Sequence, residues 1–167
     1  MRPEDFTGFI GQQKVVAQLS LILQAAKKSS RTPDHVLLAG PPGLGKTTLA
    51  YLIAKQTNRA IHTLSAISSG VKDVRDVIQK VEHGGLFQET GTILFIDEIH
   101  RFSKSQQDSL LNAVERGIIT LIGATTENPS FEVISALLSR CQVYTLQHHS
   151  QEELLAILEQ AISSDNY

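Results

Sequence analysis

Gly40-Pro41-Pro42-Gly43-Leu44-Gly45-Lys46-Thr47 is the stretch in which residue type and spacing most directly suggest chemistry. It fits the pattern G-x-x-x-x-G-K-[ST] in full. Its glycines let the backbone wrap closely around a phosphate with N–H groups pointing inward. A helix opening at Lys46 would add the positive end of its dipole. The Lys46 ammonium is then expected between the outer phosphates of a nucleotide, and the Thr47 hydroxyl on Mg²⁺. The alternative is a plain Gly/Pro turn between strand and helix. The full motif, lying between an apolar run and a helical pattern, argues against it.

A second stretch supplies carboxylates. Thr92-Ile93-Leu94-Phe95-Ile96 is an apolar run ending in Asp97 and Glu98. Mg²⁺ prefers oxygen ligands, so Asp97 is expected in its shell. Glu98 is placed to polarise an attacking water as a general base. Alone, an apolar strand ending in Asp-Glu means little; downstream of the Lys46 loop it means much more. Gly123-Ala124-Thr125-Thr126 closes another apolar run, and a hydroxyl there could hold the lytic water, although an ordinary Ser/Thr turn fits equally well. Ser139-Arg140 follows a helical stretch, 131–138. A lone arginine is usually solvated. One that reaches a neighbouring subunit's phosphate would explain why such an enzyme must assemble.

These residues need strands and helices to hold them. Short apolar runs at 35–39, 60–64, 92–97, 119–124 and 143–146 predict five strands. Helical patterns cover 12–28, 46–56, 71–81 and 106–115. Such alternation predicts an α/β fold, a parallel sheet between helices joined by right-handed crossovers. Ligands in such sheets bind beyond the carboxyl ends of the strands. Those ends fall at Gly40, Ser65, Asp97 and Thr125, where the polar residues collect. Ser150 with Glu153 forms a capping box ahead of a last helix with a broad apolar face, Leu154 to Ile162.

Composition narrows the class. A chain of 167 residues with 41% hydrophobic and 19% charged residues is globular and suits one domain, or one domain with the start of a second. A net charge of −2 gives no electrostatic mark of nucleic-acid binding. Aromatics at 5%, without Trp, offer no base-stacking platform. The single cysteine, Cys141, cannot form an internal disulfide and is expected as a small buried residue. The polar start Met1-Arg2-Pro3-Glu4-Asp5 has no signal-peptide character, and no run approaches the length of a membrane span. A cytoplasmic, membrane-free protein is expected.

Together these stretches resemble AAA+ ATPases of DNA replication and repair. From about residue 65 the wording is similar to the replication-associated recombination protein A (RarA, or MgsA) family. Phe95-Ile-Asp-Glu-Ile-His-Arg-Phe102, Lys104-Ser-Gln-Gln-Asp108, Leu121-Ile-Gly-Ala-Thr-Thr-Glu-Asn-Pro-Ser-Phe131 and Ala136-Leu-Leu-Ser-Arg-Cys141 carry that likeness. The first third looks more like the Holliday-junction motor RuvB, through Phe9-Ile-Gly-Gln12, Asp34-His-Val-Leu-Leu38 and the Gly40–Ala50 stretch. The DNA hairpin segment of RuvB has no counterpart between the phosphate loop and Asp97. A divergent natural member and an engineered hybrid of two relatives both fit this pattern.

The resemblance implies a P-loop NTPase fold of the AAA+ type with ATP or ADP and Mg²⁺ as ligands. It implies that Phe9, Ile10 and Gly11 line the adenine pocket. Gly40, Pro41, Pro42, Gly43, Leu44, Gly45, Lys46, Thr47 and Thr48 form the phosphate loop. Thr47 and Asp97 hold the metal. Glu98, Lys46, Thr126 and Arg140 are the catalytic set, with Thr126 as the sensor hydroxyl and Arg140 as the finger acting on a neighbour. His100 and Arg101 are expected as structural residues or relays. Residues 1–149 are read as the ATPase core, and 150–167 as the first helix of a truncated lid. The implied partners are DNA forks, junctions or single-stranded gaps and further copies of the chain. Two other readings compete: a catalytically weak nucleotide-binding module, and a DExH-type helicase suggested by Asp97-Glu98-Ile99-His100. The latter requires a second domain with an arginine-rich motif, and Arg140 stands alone.

Overall fold

The computed structural model describes residues 3–29, 32–84 and 91–164. Arg2 of the amino-terminal stretch and residues 165–167 of the expected tail helix lie outside them. The elements run α1 (Gln13–Ser29), β1 (His35–Ala39), α2 (Lys46–Gln56), β2 (Ala60–Ser65), α3 (Val71–His83), β3 (Thr92–Asp97), α4 (Lys104–Glu115), β4 (Thr120–Thr125), α5 (Pro129–Glu132), α6 (Ser135–Leu138), β5 (Cys141–Thr145) and α7 (Gln151–Ser164). Short 3-10 turns cover Phe6–Gly8 and Ile99–Arg101.

The five strands form one sheet in the order β2-β3-β4-β1-β5, and every pairing is parallel. The α/β expectation therefore holds. Alternation along each strand sorts the core into two faces. Val36, Leu38, Ile93, Phe95, Ile122 and Ala124 pack toward α1 and α2 with Leu19, Leu49 and Ile53. Leu37, Leu94, Ile96 and Leu121 face the other way, onto Val74, Leu110, Ala113 and Leu137. β3 and β4 are buried along almost their whole length because helices cover both faces. Burying one such large side chain stabilises by roughly 1.5–3 kcal/mol.

Two expectations change. The helical stretch 131–138 is two short helices, broken at Val133, whose backbone is extended (φ −107°, ψ 134°). The cause is Gln107, 3% exposed. Its Oε1 accepts the Ile134 N–H at 2.8 Å, and its Nε2 donates to the Glu132 and Phe102 carbonyls at 3.2 and 3.1 Å. A buried amide that satisfies backbone groups from outside relieves the helix of that role. The last strand runs over 141–145 rather than 143–146. Pairing with β1 draws it in from Cys141, opposite His35. It is an edge strand, so Gln142 and Val143 are exposed and the apolar signal is weak.

Ser103 caps α4 as a capping box, its Oγ accepting the Gln106 N–H at 3.3 Å while Gln106 Oε1 accepts the Ser103 N–H at 2.9 Å. Ser150 and Glu153 do the same for α7. Leu154, Leu155, Leu158 and Ile162 of α7 are exposed. Among the described residues no helix is long and apolar enough to cross a membrane.

Candidate nucleotide site

The phosphate loop leaves the carboxyl end of β1 and enters α2 at Lys46. Gly40 has φ +149°, and a Cβ there would meet the Leu146 carbonyl oxygen at 2.8 Å. That neighbour is backbone and cannot swing away, so only glycine fits. Gly45, at φ +91°, is the N-cap of α2, and a Cβ on it would lie 2.8 Å from the Phe9 ring. Lys46 is 8% exposed. Its Nζ donates to the Gly40 and Pro41 carbonyls at 2.6 and 2.7 Å. Burial pulls its pKa down, while Glu98 and then Asp97 push it back up. A buried ammonium held by loop carbonyls and facing two carboxylates suits a polyphosphate with a divalent cation.

β3 carries Asp97 and Glu98 to the same edge of the sheet. Asp97 shares its pleat parity with Ile93 and Phe95, the face covered by α2. Glu98 adopts a left-handed backbone (φ 56°, ψ 43°) as the N-cap of the 99–101 turn. Such a conformation in a residue other than glycine costs roughly 1–3 kcal/mol and marks functional sites. Here it turns the carboxylate off the strand direction. Glu98 Oε2 lies 3.4 Å from Thr126 Oγ1 and 3.3 Å from His100 Nε2. β4 sits between β3 and β1, so its end lies between the carboxylates and the phosphate loop. Thr125 is fully buried, and its Oγ1 is 2.8 Å from His100 Nδ1. Thr126, just past the strand, faces Glu98.

The structure thus brings Lys46, Asp97, Glu98 and Thr126 to one edge. Thr47 and Thr48 follow in the first turn of α2 and are half-buried, as is Ile10; Leu44 is buried, and Pro42 and Gly43 are exposed. Phe9 packs on the end of the phosphate loop. A Cβ on Gly11 would meet His149 Nδ1 at 2.7 Å and Glu153 Oε2 at 2.8 Å, so this segment also lies against the start of α7. Arg140 is elsewhere. It immediately precedes β5, whose first residue is in register with the first residue of β1. It therefore sits at the amino edge of the sheet, roughly 16 Å away at about 3.3 Å per residue over a five-residue strand. There its Nη2 is paired with Glu115 Oε1 at 2.7 Å.

Two residues of the site had no predicted contact. Gln12, 9% exposed and at φ 54°, clamps the backbone of Gln147. Its Nε2 donates to the Gln147 carbonyl at 2.5 Å and its Oε1 accepts the Gln147 N–H at 2.9 Å. His100 bridges Glu98 and Thr125. Both stood in recognised stretches, but their partners are remote in sequence or depend on the Glu98 turn.

A parallel five-stranded sheet in the order 2-3-4-1-5, with a glycine-rich loop after β1 and an Asp-Glu pair after β3, defines the class: this is a P-loop ATPase fold of the AAA+ type. Residues 1–135 match the family described as the Holliday junction DNA helicase RuvB P-loop domain, and the chain belongs to that family. It is 46% identical over 166 residues to the replication-associated recombination protein A of Coxiella burnetii, covering 99% of this chain and 36% of that protein. It is 48% identical over 164 residues to ATPase WRNIP1 of Dictyostelium discoideum, covering 97% of this chain and 18% of that protein. Among solved structures, the RuvB Holliday junction branch migration motor of Thermotoga maritima superposes with a TM-score of 0.84 at 40% identity, over 97% of this chain and 54% of that one. The chain thus spans about a third of the C. burnetii protein's length. Each of these likenesses runs through nearly the whole chain.

Proposed function

We infer that this chain is the Mg-dependent ATP-binding and hydrolysing core of an oligomeric protein acting on DNA in replication-associated recombination. The observation that carries the reading is the convergence of a buried Lys46 with Asp97, Glu98 and Thr126 at one sheet edge. The loop 40–48 binds the phosphates, with Phe9, Ile10 and Gly11 beside the adenine. Thr47 and Asp97 hold Mg²⁺, which supplies charge neutralisation on the phosphate oxygens. Lys46 gives up its loop carbonyls for phosphate oxygens. Glu98 orients a water and accepts its proton, and Thr126 fixes that carboxylate. Arg140, remote from its own phosphate loop, serves a neighbouring copy. The RuvB Holliday junction branch migration motor among the similar structures supports DNA junctions as a target; forks, single-stranded gaps and a cytoplasmic location belong to the same proposal. Residues 150–167 begin a lid.

A second reading, a nucleotide-binding module with little turnover of its own, is favoured by the placement of Arg140. The test is steady-state ATP hydrolysis with Mg²⁺, with and without forked DNA, for the native chain and for Glu98→Gln. Turnover that vanishes in Glu98→Gln supports the hydrolase. Tight binding without turnover supports the module. Absence of both removes the leading reading.

A further inference from the structure

We propose that His100 is a positioning residue that holds Glu98 by one carboxylate oxygen and leaves the other for water. The inference rests on the reading of Glu98 as the base.

The contacts of the Thr125 hydroxyl favour one tautomer of the ring. Thr125 Oγ1 accepts the Glu127 N–H at 3.0 Å. Its single proton then goes to the nearer acceptor, His100 Nδ1 at 2.8 Å, rather than to the Glu127 carbonyl at 3.5 Å. With Nδ1 accepting from Thr125, the ring N–H is the one on Nε2. Nε2 lies 3.3 Å from Glu98 Oε2. The side chain of His100 is 10% exposed and that of Glu98 21%, so water competes weakly for this contact. Thr126 Oγ1 reaches the same Oε2. The Thr126 hydroxyl and the His100 ring both meet Oε2, which sets the rotation of the carboxylate and leaves Oε1 on its other side.

The chain thereby links three elements. The Glu127 N–H beyond β4 fixes the Thr125 hydroxyl, Thr125 fixes the ring, and the ring fixes the Glu98 carboxylate at the end of β3. The metal-binding and phosphate-binding residues take no part, so the predicted effect falls on turnover and not on nucleotide affinity.

Two amides separate the two ends of the ring. Glutamine can place its N–H₂ near the position of Nε2, and asparagine can place its oxygen near that of Nδ1. Turnover, KM and nucleotide affinity are measured for the full protein with His100→Gln, His100→Asn and Thr125→Val, beside Glu98→Gln. Loss of the Nε2 contact to a charged group predicts a kcat lower by about tenfold or more in His100→Asn. Under the proposal KM and ATP affinity stay within about twofold, and His100→Gln recovers most of the rate. Equal rates in native protein and His100→Asn overturn it. So does a loss shared by His100→Gln, His100→Asn and Thr125→Val together with lower melting temperatures, which marks a structural role. If Glu98→Gln retains turnover, the base assignment itself has failed, whatever the His100 variants do.

Discussion

Adding one methyl group at Gly123 tests how tightly the carboxylate turn is seated on the sheet. Gly123 lies in β4 opposite Leu37 of β1. A Cβ there would meet Leu37 Cδ2 at 2.6 Å, Ile99 Cδ1 at 3.0 Å and Ile99 Cγ2 at 3.4 Å. Leu37 and Ile99 are fully buried, so neither tip can swing aside without displacing others. Ile99 stands between Glu98 and His100, and pressure on it moves both. Overpacking of this kind destabilises by about 1–3 kcal/mol. A domain of this size then melts lower by roughly 2–4 °C per kcal/mol. The assay is thermal and urea denaturation of Gly123→Ala, Leu37→Ala and the double variant. Leu37→Ala alone leaves a cavity and costs roughly 2–5 kcal/mol. In the double variant the new methyl occupies part of that space, so the combined loss is smaller than the sum. A melting temperature for Gly123→Ala within about 1 °C of the native value, or strict additivity, refutes the packing argument.

Three further outcomes are expected. His35 accepts the Leu121 N–H on Nδ1 at 3.0 Å, and burial lowers its pKa below 6.5, with Asp34 opposing and Arg140 assisting. The unfolded chain therefore binds the proton first, so His35 contributes stability above about pH 6.5 that is lost as pH falls through its depressed folded value; His35→Gln should flatten that part of the curve of urea midpoint against pH. Burial pushes the Cys141 thiol up to about 12. At pH 8 a disulfide reagent should label the native chain slower than the urea-unfolded chain by on the order of a hundredfold, and equal rates would contradict the burial. Gln12→Ala strips two hydrogen bonds from the Gln147 backbone. It should cost about 1–3 kcal/mol in urea denaturation, and amide exchange at Gln147 should accelerate.

Where the sequence was legible, local rules sufficed. The bounds of α2 and β3 follow from the glycine loop before Lys46 and from the unbroken apolar run before Asp97. The fold class, and with it the edge where Lys46 and Glu98 meet, rests on that alternation. What stayed hidden depends on contacts distant in sequence. Nothing near Val133 announces a break, because the group responsible is the Gln107 amide. Cys141 and Gln142 lack strand character of their own and join the sheet only by pairing with β1. The role of His100 needs the left-handed backbone of Glu98, which residue types do not disclose. The place of Arg140 at the far edge follows from strand register, and register is a tertiary property.

The strand order has a consequence for synthesis. β1 is completed at Ala39, yet both its neighbours come late, β4 at 120–125 and β5 at 141–145. A chain growing from the ribosome at about 5–20 residues per second therefore carries Val36-Leu37-Leu38 unpaired on both sides for several seconds. Such a strand is the kind that recruits foreign edges. The nascent protein is most exposed to aggregation during that interval, and slower elongation before residue 120 would lengthen it.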